Sequence, residues 1–262
     1  MGKVCFKTIL VEKETNKPIS DLYFDFADGF DDNGLAIVRL KGKFNFIDRN
    51  GKLLSDQWFD YAWDFLEGEG VARVNLGGKY NFINQDGKLL SEQWFDSCYD
   101  FRNGFGQVKL DEKSNLISKE GKLISDKWRD WYDVFRDDFA VIKDNNKFNF
   151  INQEGKIISN QWFDDVDCFH KGFAPVKLDG KWNFINQEGG FLSEQWFDDC
   201  RPFCNGFAIV KLNGKSNFIN QEGKIISDQW FNECGCFIEG FGRAKRGYKW
   251  FKIDKNGNLT KE

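Results

Sequence analysis

The chain has 262 residues, 37 basic and 41 acidic, for a formal net charge of −4. That balance excludes the basic footprint of an ordinary nucleic-acid-binding protein, and no run reaches the roughly 18 apolar residues that a membrane-spanning helix needs. Aromatic residues make up 17%, with 29 Phe and 10 Trp, so any core this chain buries is built largely from rings.

The first residues, MGKVCFKTILVEKETNKP, pass from a short apolar stretch to Glu12, Lys13 and Glu14. A secretory signal carries a longer apolar segment. Phe6 stands where a myristoylation signal carries Ser or Thr. Seven cysteines, scattered without a framework spacing, fit a reducing compartment. The expected localisation is cytoplasmic.

From there the chain repeats itself. Turn glycines fall at Gly51, Gly87, Gly121, Gly155, Gly189, Gly223 and Gly257, in one step of 36 residues and five of 34. A tryptophan follows each of the first six by seven residues, from Trp58 to Trp230. A degenerate copy precedes them, with Asn16 and Tyr23 in the two places. The expected organisation is one array over 1–262: a degenerate first unit or cap at 1–41, regular repeats at 42–245, and a partial last unit or cap at 246–262.

Within a unit the signals are those of β-structure. In FAPVKL (173–178), Ala174, Val176 and Leu178 alternate onto one face. Asp179-Gly180 predicts a two-residue hairpin turn, since both positions of the favoured turn need positive φ. KWNFI follows, with Trp182 and Phe184 on one face and Asn183 and Ile185 on the other. NQEG predicts a turn in which Asn186 bonds nearby backbone and Gly189 is left-handed. EQWFDDCRPF spaces Phe197, Cys200 and Phe203 by three, which suits a bulged strand or a single helical turn. No segment carries the sustained 3.6-residue period of a longer helix.

Such a unit cannot bury two faces alone, and stacked neighbours supply what is missing. Two columns predict the interface: a small one (Ala36, Ala72, Gly106, Ala140, Ala174, Ala208, Gly242) and a large one (Phe65, Phe101, Phe135, Phe169, Phe203, Phe237). The expected fold is all-β, an open, elongated, β-solenoid-like array of tandem hairpin or meander repeats of about 34 residues. A closed seven-bladed β-propeller is the alternative.

The pattern G-K-aromatic-x-F-I-x-x-x-G-K … I-S … W-F-D … F … G-x-A-x-V resembles the WG-containing repeats of bacterial proteins, over roughly residues 15 to 257. The Trp-Gly pair of that family is Trp182-Asn183 here, and Phe44-Asn45, Tyr80-Asn81 or Phe148-Asn149 elsewhere. The resemblance implies a β-rich tandem array and carries over no catalytic residue.

Candidate chemistry is sparse. The single histidine, His170, has no convergent partner of the kind a catalytic base needs. Cys200, Cys204, Cys234 and Cys236 cluster late, but Cys98, Cys200 and Cys234 occupy a place held elsewhere by Ala62, Tyr132 and Val166, as core filler does; no metal is expected. The acidic column Asp60, Asp96, Asp130, Asp164, Asp198, ending in Asn232, suggests a turn or cap, with a carboxylate-based hydrolase as a remote alternative. The Asn column (Asn45, Asn81, Asn115, Asn149, Asn183, Asn217) suggests a hydrogen-bonded ladder between units. One column varies: Phe44, Tyr80, Ser114, Phe148, Trp182, Ser216. Its aromatic members, Phe44, Tyr80, Phe148 and Trp182, are the candidate binding residues, because rings on an extended face anchor proteins or stack on sugars. The expectation is a non-enzymatic scaffold without cofactor whose partner is another protein, with a glycan as the alternative, and with neither nucleic acid nor membrane as partner.

Overall fold

A computed structural model describes residues 18–136 and 138–261; Cys5, Asn16 and the rest of residues 1–17 of the degenerate first unit lie outside them. The described residues contain no helix and form seven small antiparallel sheets. Contacts divide the chain into two compact units, Met1–Val134 and Phe135–Glu262.

The first unit holds three sheets of one design: Phe26–Ala27, Leu35–Leu40 and Lys43–Asp48; Tyr61–Ala62, Val71–Leu76 and Lys79–Asn84; Ser97–Cys98, Phe105–Leu110 and Lys113–Ser118. It ends on Trp131–Tyr132. The second unit begins with the hairpin Phe139–Asp144 and Lys147–Asn152. Two sheets of the same design follow, Asp165–Val166, Phe173–Leu178 and Lys181–Asn186, then Asp199–Cys200, Phe207–Leu212 and Lys215–Asn220. The last sheet has four strands, Glu233–Ile238, Phe241–Arg246, Lys249–Asp254 and Leu259–Lys261. Its first strand slips register between Gly235 and Ile238.

The turns follow from their residues. Asp179 and Gly180 have φ of 50° and 79°, the left-handed pair that matches the twist of the flanking strands. At the other turn Asn186 Oδ1 accepts from the backbone of Glu188 (3.1 Å) and Gly190 (2.7 Å). EQWFDDCRPF makes no helical turn: Phe197 bridges Trp182, and Asp199–Cys200 forms a short strand.

Each long hairpin also gains an irregular fourth edge. The chain leaving Lys147–Asn152 turns back, so that Ile157 bridges Ile151 and Phe163 bridges Phe148. Between those bridges Ile158 N still donates to Phe150 O at 3.0 Å, but residues 159–162 bulge away, and the ladder is interrupted there. The fully buried Asn149 fills the gap: its Nδ2 donates to the carbonyls of Ser159 (2.8 Å) and Gln161 (3.0 Å), and its Oδ1 accepts from the backbone of Phe150 (2.8 Å). Asn45 and Asn217 bond likewise to Ser55 and Gln57 and to Ser227 and Gln229. The Asn column is therefore not a ladder from unit to unit. It replaces missing backbone hydrogen bonds 10 and 12 residues ahead. For the same reason the strand is not simply alternating: Asn183, Phe184 and Ile185 are all buried.

Successive repeats within a unit interlock through the two columns read from sequence. Large-column rings meet the preceding repeat's second strand edge to face: Phe46–Phe65 at 4.9 Å and Phe82–Phe101 at 4.7 Å in the first unit, Phe184–Phe203 at 5.1 Å in the second. Such pairs add about 0.5–1.5 kcal/mol each beyond the area they bury. Trp94 packs over the cluster of Phe46, Phe59 and Ala72, and Trp196 over that of Phe150, Phe163 and Ala174. The turn glycines press on backbone: a Cβ on Gly87 would lie 1.8 Å from the Leu54 carbonyl oxygen, and one on Gly189 would lie 2.1 Å from that of Ile158.

Candidate binding face

Columns that build the stack are occupied by their own contacts, and the acidic column is the clearest case. Asp60 pairs with Lys43 of the preceding sheet, while its other oxygen accepts from the turn amide of Gly77 at 2.7 Å. Asp96 joins Lys79 and Asp111 N in the same way, Asp164 joins Lys147 and Asp179 N, and Asp198 joins Lys181 and Asn213 N. The lysine hydrogen bond, then the turn amide, holds each of these four carboxyls below its ordinary value. Asn232 keeps only the turn bond, accepting from Gly247 N at 2.9 Å. The column clamps a hairpin turn to the neighbouring sheet, and its carboxylates face a lysine and an amide rather than one another.

The late cysteines also divide. Cys200 and Cys234 are packed inside, and burial pushes both thiols up to about 12. Cys204 and Cys236 are exposed. No group of three or more metal-ligating side chains occurs among the described residues. His170 is exposed at a loop edge, its backbone bridging Phe173.

The varying column lies on a different surface. Phe44, Tyr80, Phe148 and Trp182 are half-buried, each held by paired backbone bonds to the fourth edge, as Phe44 is to Phe59 at 2.8 and 2.9 Å. Where the column carries Ser114 or Ser216 the position is buried. On its other side each of these residues is the third member of a cross-strand row across the sheet, and the middle of the row is nearly always a cation. In the first unit the rows are Phe26–Arg39–Phe44, Tyr61–Asn75–Tyr80 and Ser97–Lys109–Ser114. In the second they include Asp165–Lys177–Trp182, Asp199–Lys211–Ser216 and Glu233–Lys245–Trp250.

Cation and ring are in contact. Arg39 lies 5.9 Å from the Phe44 ring centre, Lys143 5.4 Å from Phe148, and Lys177 5.5 Å from Trp182. Contacts of this kind contribute about 0.5–1 kcal/mol at exposed sites. Phe148 and Trp182 therefore sit under lysines in the second unit, while Phe44 and Tyr80 belong to a larger assembly in the first. There Phe44 meets Tyr61 at 5.0 Å, Tyr61 meets Trp63 at 4.5 Å, and Trp63 meets Tyr80 at 6.0 Å. Tyr61 is 47% exposed, Tyr99 45% and Phe26 42%. Arg73 lies 4.2 Å from the Trp63 ring, fixed by the Cys98 carbonyl at 2.9 Å and by Asp100 at 3.7 Å.

Tyr61 and Trp63 were not singled out from the sequence. Their columns continue as Ser97, Trp131, Asp165, Asp199 and Glu233, and as Tyr99, Asp133, Asp167, Arg201 and Gly235. Variation at those places was the signal, and the irregular segment that carries them hid which side it faces.

The pattern of the WG containing repeat matches residues 13–44, 46–80, 82–113, 150–182, 184–215 and 218–250. The chain belongs to the WG-repeat family. In this WG-repeat protein the first position of the family's namesake pair is the half-buried, mostly aromatic column, and the second is the buried asparagine that bridges the bulge. No curated protein sequence matches the chain. Among solved structures, Kluyveromyces lactis Hsv2 is 10% identical with a TM-score of 0.33, over 86% of this chain and 88% of that one. PorZ of Porphyromonas gingivalis is 9% identical with a TM-score of 0.31, over 90% of this chain and 37% of that one. At those scores neither likeness carries an argument about this protein.

Proposed function

We propose that this WG-repeat protein is a non-enzymatic, cytoplasmic scaffold that binds another protein through the aromatic face of its first unit. The observation that carries the reading is the ring series Phe44–Tyr61–Trp63–Tyr80, partly exposed and continuous over two repeats. Exposed aromatics beside an arginine have the composition of interface anchors. The repeated carboxylates support no hydrolytic alternative, since each clamp already engages its acid. Free thiols at all six described cysteines suit a reducing compartment.

The test is affinity capture from native lysate with the wild type, with Tyr61→Ser/Trp63→Ser/Tyr80→Ser, and with Phe148→Ser/Trp182→Ser, each checked for folding by circular dichroism. A protein retained by the wild type and the second variant, but lost with the first, supports the reading. Loss with the second variant alone moves the face to the other unit. No captured protein, together with tryptophan quenching by a glycan panel, replaces the reading with carbohydrate binding.

A further inference from the structure

The three rows of the first unit differ in charge as well as in ring content. Arg39 and Lys109 form no ion pair with any acid among the described residues; their contacts there are rings, Phe26 and Phe44 for Arg39 and Tyr99 for Lys109. Between them lies the uncharged aromatic row Tyr61–Asn75–Tyr80. The second unit's last rows neutralise themselves, Lys211 against Asp199 at 3.2 Å and Lys245 against Glu233 at 3.7 Å. The acids beside the first unit's face are Asp25 and Asp28, whose amides bond the carbonyls of Arg39 (2.7 Å) and Ile37 (2.9 Å), together with Asp64 and Asp100; Asp100 is engaged by Arg73, and neither Asp25 nor Asp28 forms an ion pair with Arg39.

Ring orientation narrows the ligand. A sugar stacks on an open ring face. Here Arg73 covers a face of Trp63, Arg39 lies against Phe44, and the rings pack on one another at 46°, 55° and 37°. The faces of Trp63 and Phe44 are thus already shared with a cation or a neighbouring ring. The unpaired cations favour carboxylates, and the half-exposed Tyr61 between them favours an aliphatic side chain.

We propose, resting on the protein-binding reading, that the partner presents an acidic linear segment of acid–apolar–acid pattern. Its carboxylates meet Arg39 and Lys109, and its apolar side chain lies on Tyr61 and Tyr80. The residues that decide the partner's charge are thus two cations that the repeat places over its own rings.

The experiment is fluorescence anisotropy of the full chain with a fluorescein-labelled peptide of alternating Glu and Leu, against its Lys–Leu counterpart. Sodium alginate and oligothymidylate serve as competitors. The expected result is saturable binding of the Glu–Leu peptide, weakened by added salt. Affinity falls by about tenfold or more in Arg39→Gln/Lys109→Gln and falls also in Tyr61→Ser, while Lys211→Gln in the second unit leaves it unchanged. Equal binding of the Lys–Leu peptide, unaltered affinity in the double variant, or no binding of the Glu–Leu peptide overturns the proposal. Displacement of the Glu–Leu peptide by alginate or oligothymidylate at lower charge concentration than by unlabelled peptide also overturns it, in favour of that polymer. A lysate partner lost with the ring variant, alongside no peptide binding, removes the acidic segment and leaves the scaffold standing; loss of both removes the two readings together.

Discussion

At the residue scale, two kinds of glycine do different work in each repeat. Gly180 and Gly189 have similar left-handed angles, φ 79° and 83°. Around Gly180 a Cβ would meet nothing within 4 Å, whereas at Gly189 it would lie 2.1 Å from the Ile158 carbonyl oxygen. Glu112 and Asn146 already occupy the Gly180 position elsewhere, at φ 64° and 60°. Gly180→Ala therefore carries only the left-handed penalty, about 1 kcal/mol. Gly189→Ala adds a backbone collision and costs more than about 2 kcal/mol, because turn and neighbour must separate. Urea midpoints for the two variants check this, and equal midpoints would contradict the close approach. The small column follows the same logic. At Gly106 a Cβ would meet the Phe101 ring at 2.5 Å, so Gly106→Ala is expected to overpack by about 1–3 kcal/mol, although Ala is native at Ala72 and Ala174.

At the scale of the element, the sheet is defined by its interrupted fourth edge. Asn149 is fully buried and its amide serves two carbonyls, so truncation strands Ser159 O and Gln161 O. Asn149→Ala is expected to lose about 1–3 kcal/mol. It is also expected to raise amide exchange between Ile157 and Phe163 more than within Phe139–Asp144. Uniform exchange across the repeat would show that the bulge is held by something else. The hairpins, their turn types and the Phe and Ala interface were legible in the sequence, because alternation, Asp-Gly and a 34-residue period each have one structural meaning. The asparagine was legible as structural but not in its partner. A bulge leaves no periodic mark, and the carbonyls it strands carry no side-chain signature. The ring series proposed as a binding face was legible only in part. Column variation pointed to Phe44 and Tyr80, but the two-residue strand bearing Tyr61 is too short to display a period, and Arg39 and Lys109 read as ordinary solvated charges.

Across the whole molecule, the same clamp recurs in both units, which makes acid stability a property of the repeat. Asp60, Asp96, Asp164 and Asp198 all have folded pKa values below their ordinary ones, chiefly through Lys43, Lys79, Lys147 and Lys181. A carboxyl that binds its proton more weakly when folded stabilises the fold fully above its unfolded pKa, about 3.9. That contribution is lost as pH falls through the lower folded value. The native Asn232 shows how to remove the charge without the turn, since its carbonyl still accepts from Gly247 N at 2.9 Å. Asp60→Asn/Asp96→Asn/Asp164→Asn/Asp198→Asn is therefore expected to fold, to have a lower urea midpoint than wild type at pH 7, and to lose less of it between pH 5 and pH 2. High salt is expected to narrow the gap at pH 7, because these pairs are solvent-facing and screened. Parallel acid limbs for the two proteins would mean that the carboxylates hold their turns by geometry alone. In that case the lysine column (Lys43, Lys79, Lys147, Lys181) would have to owe its regularity to something other than the clamp.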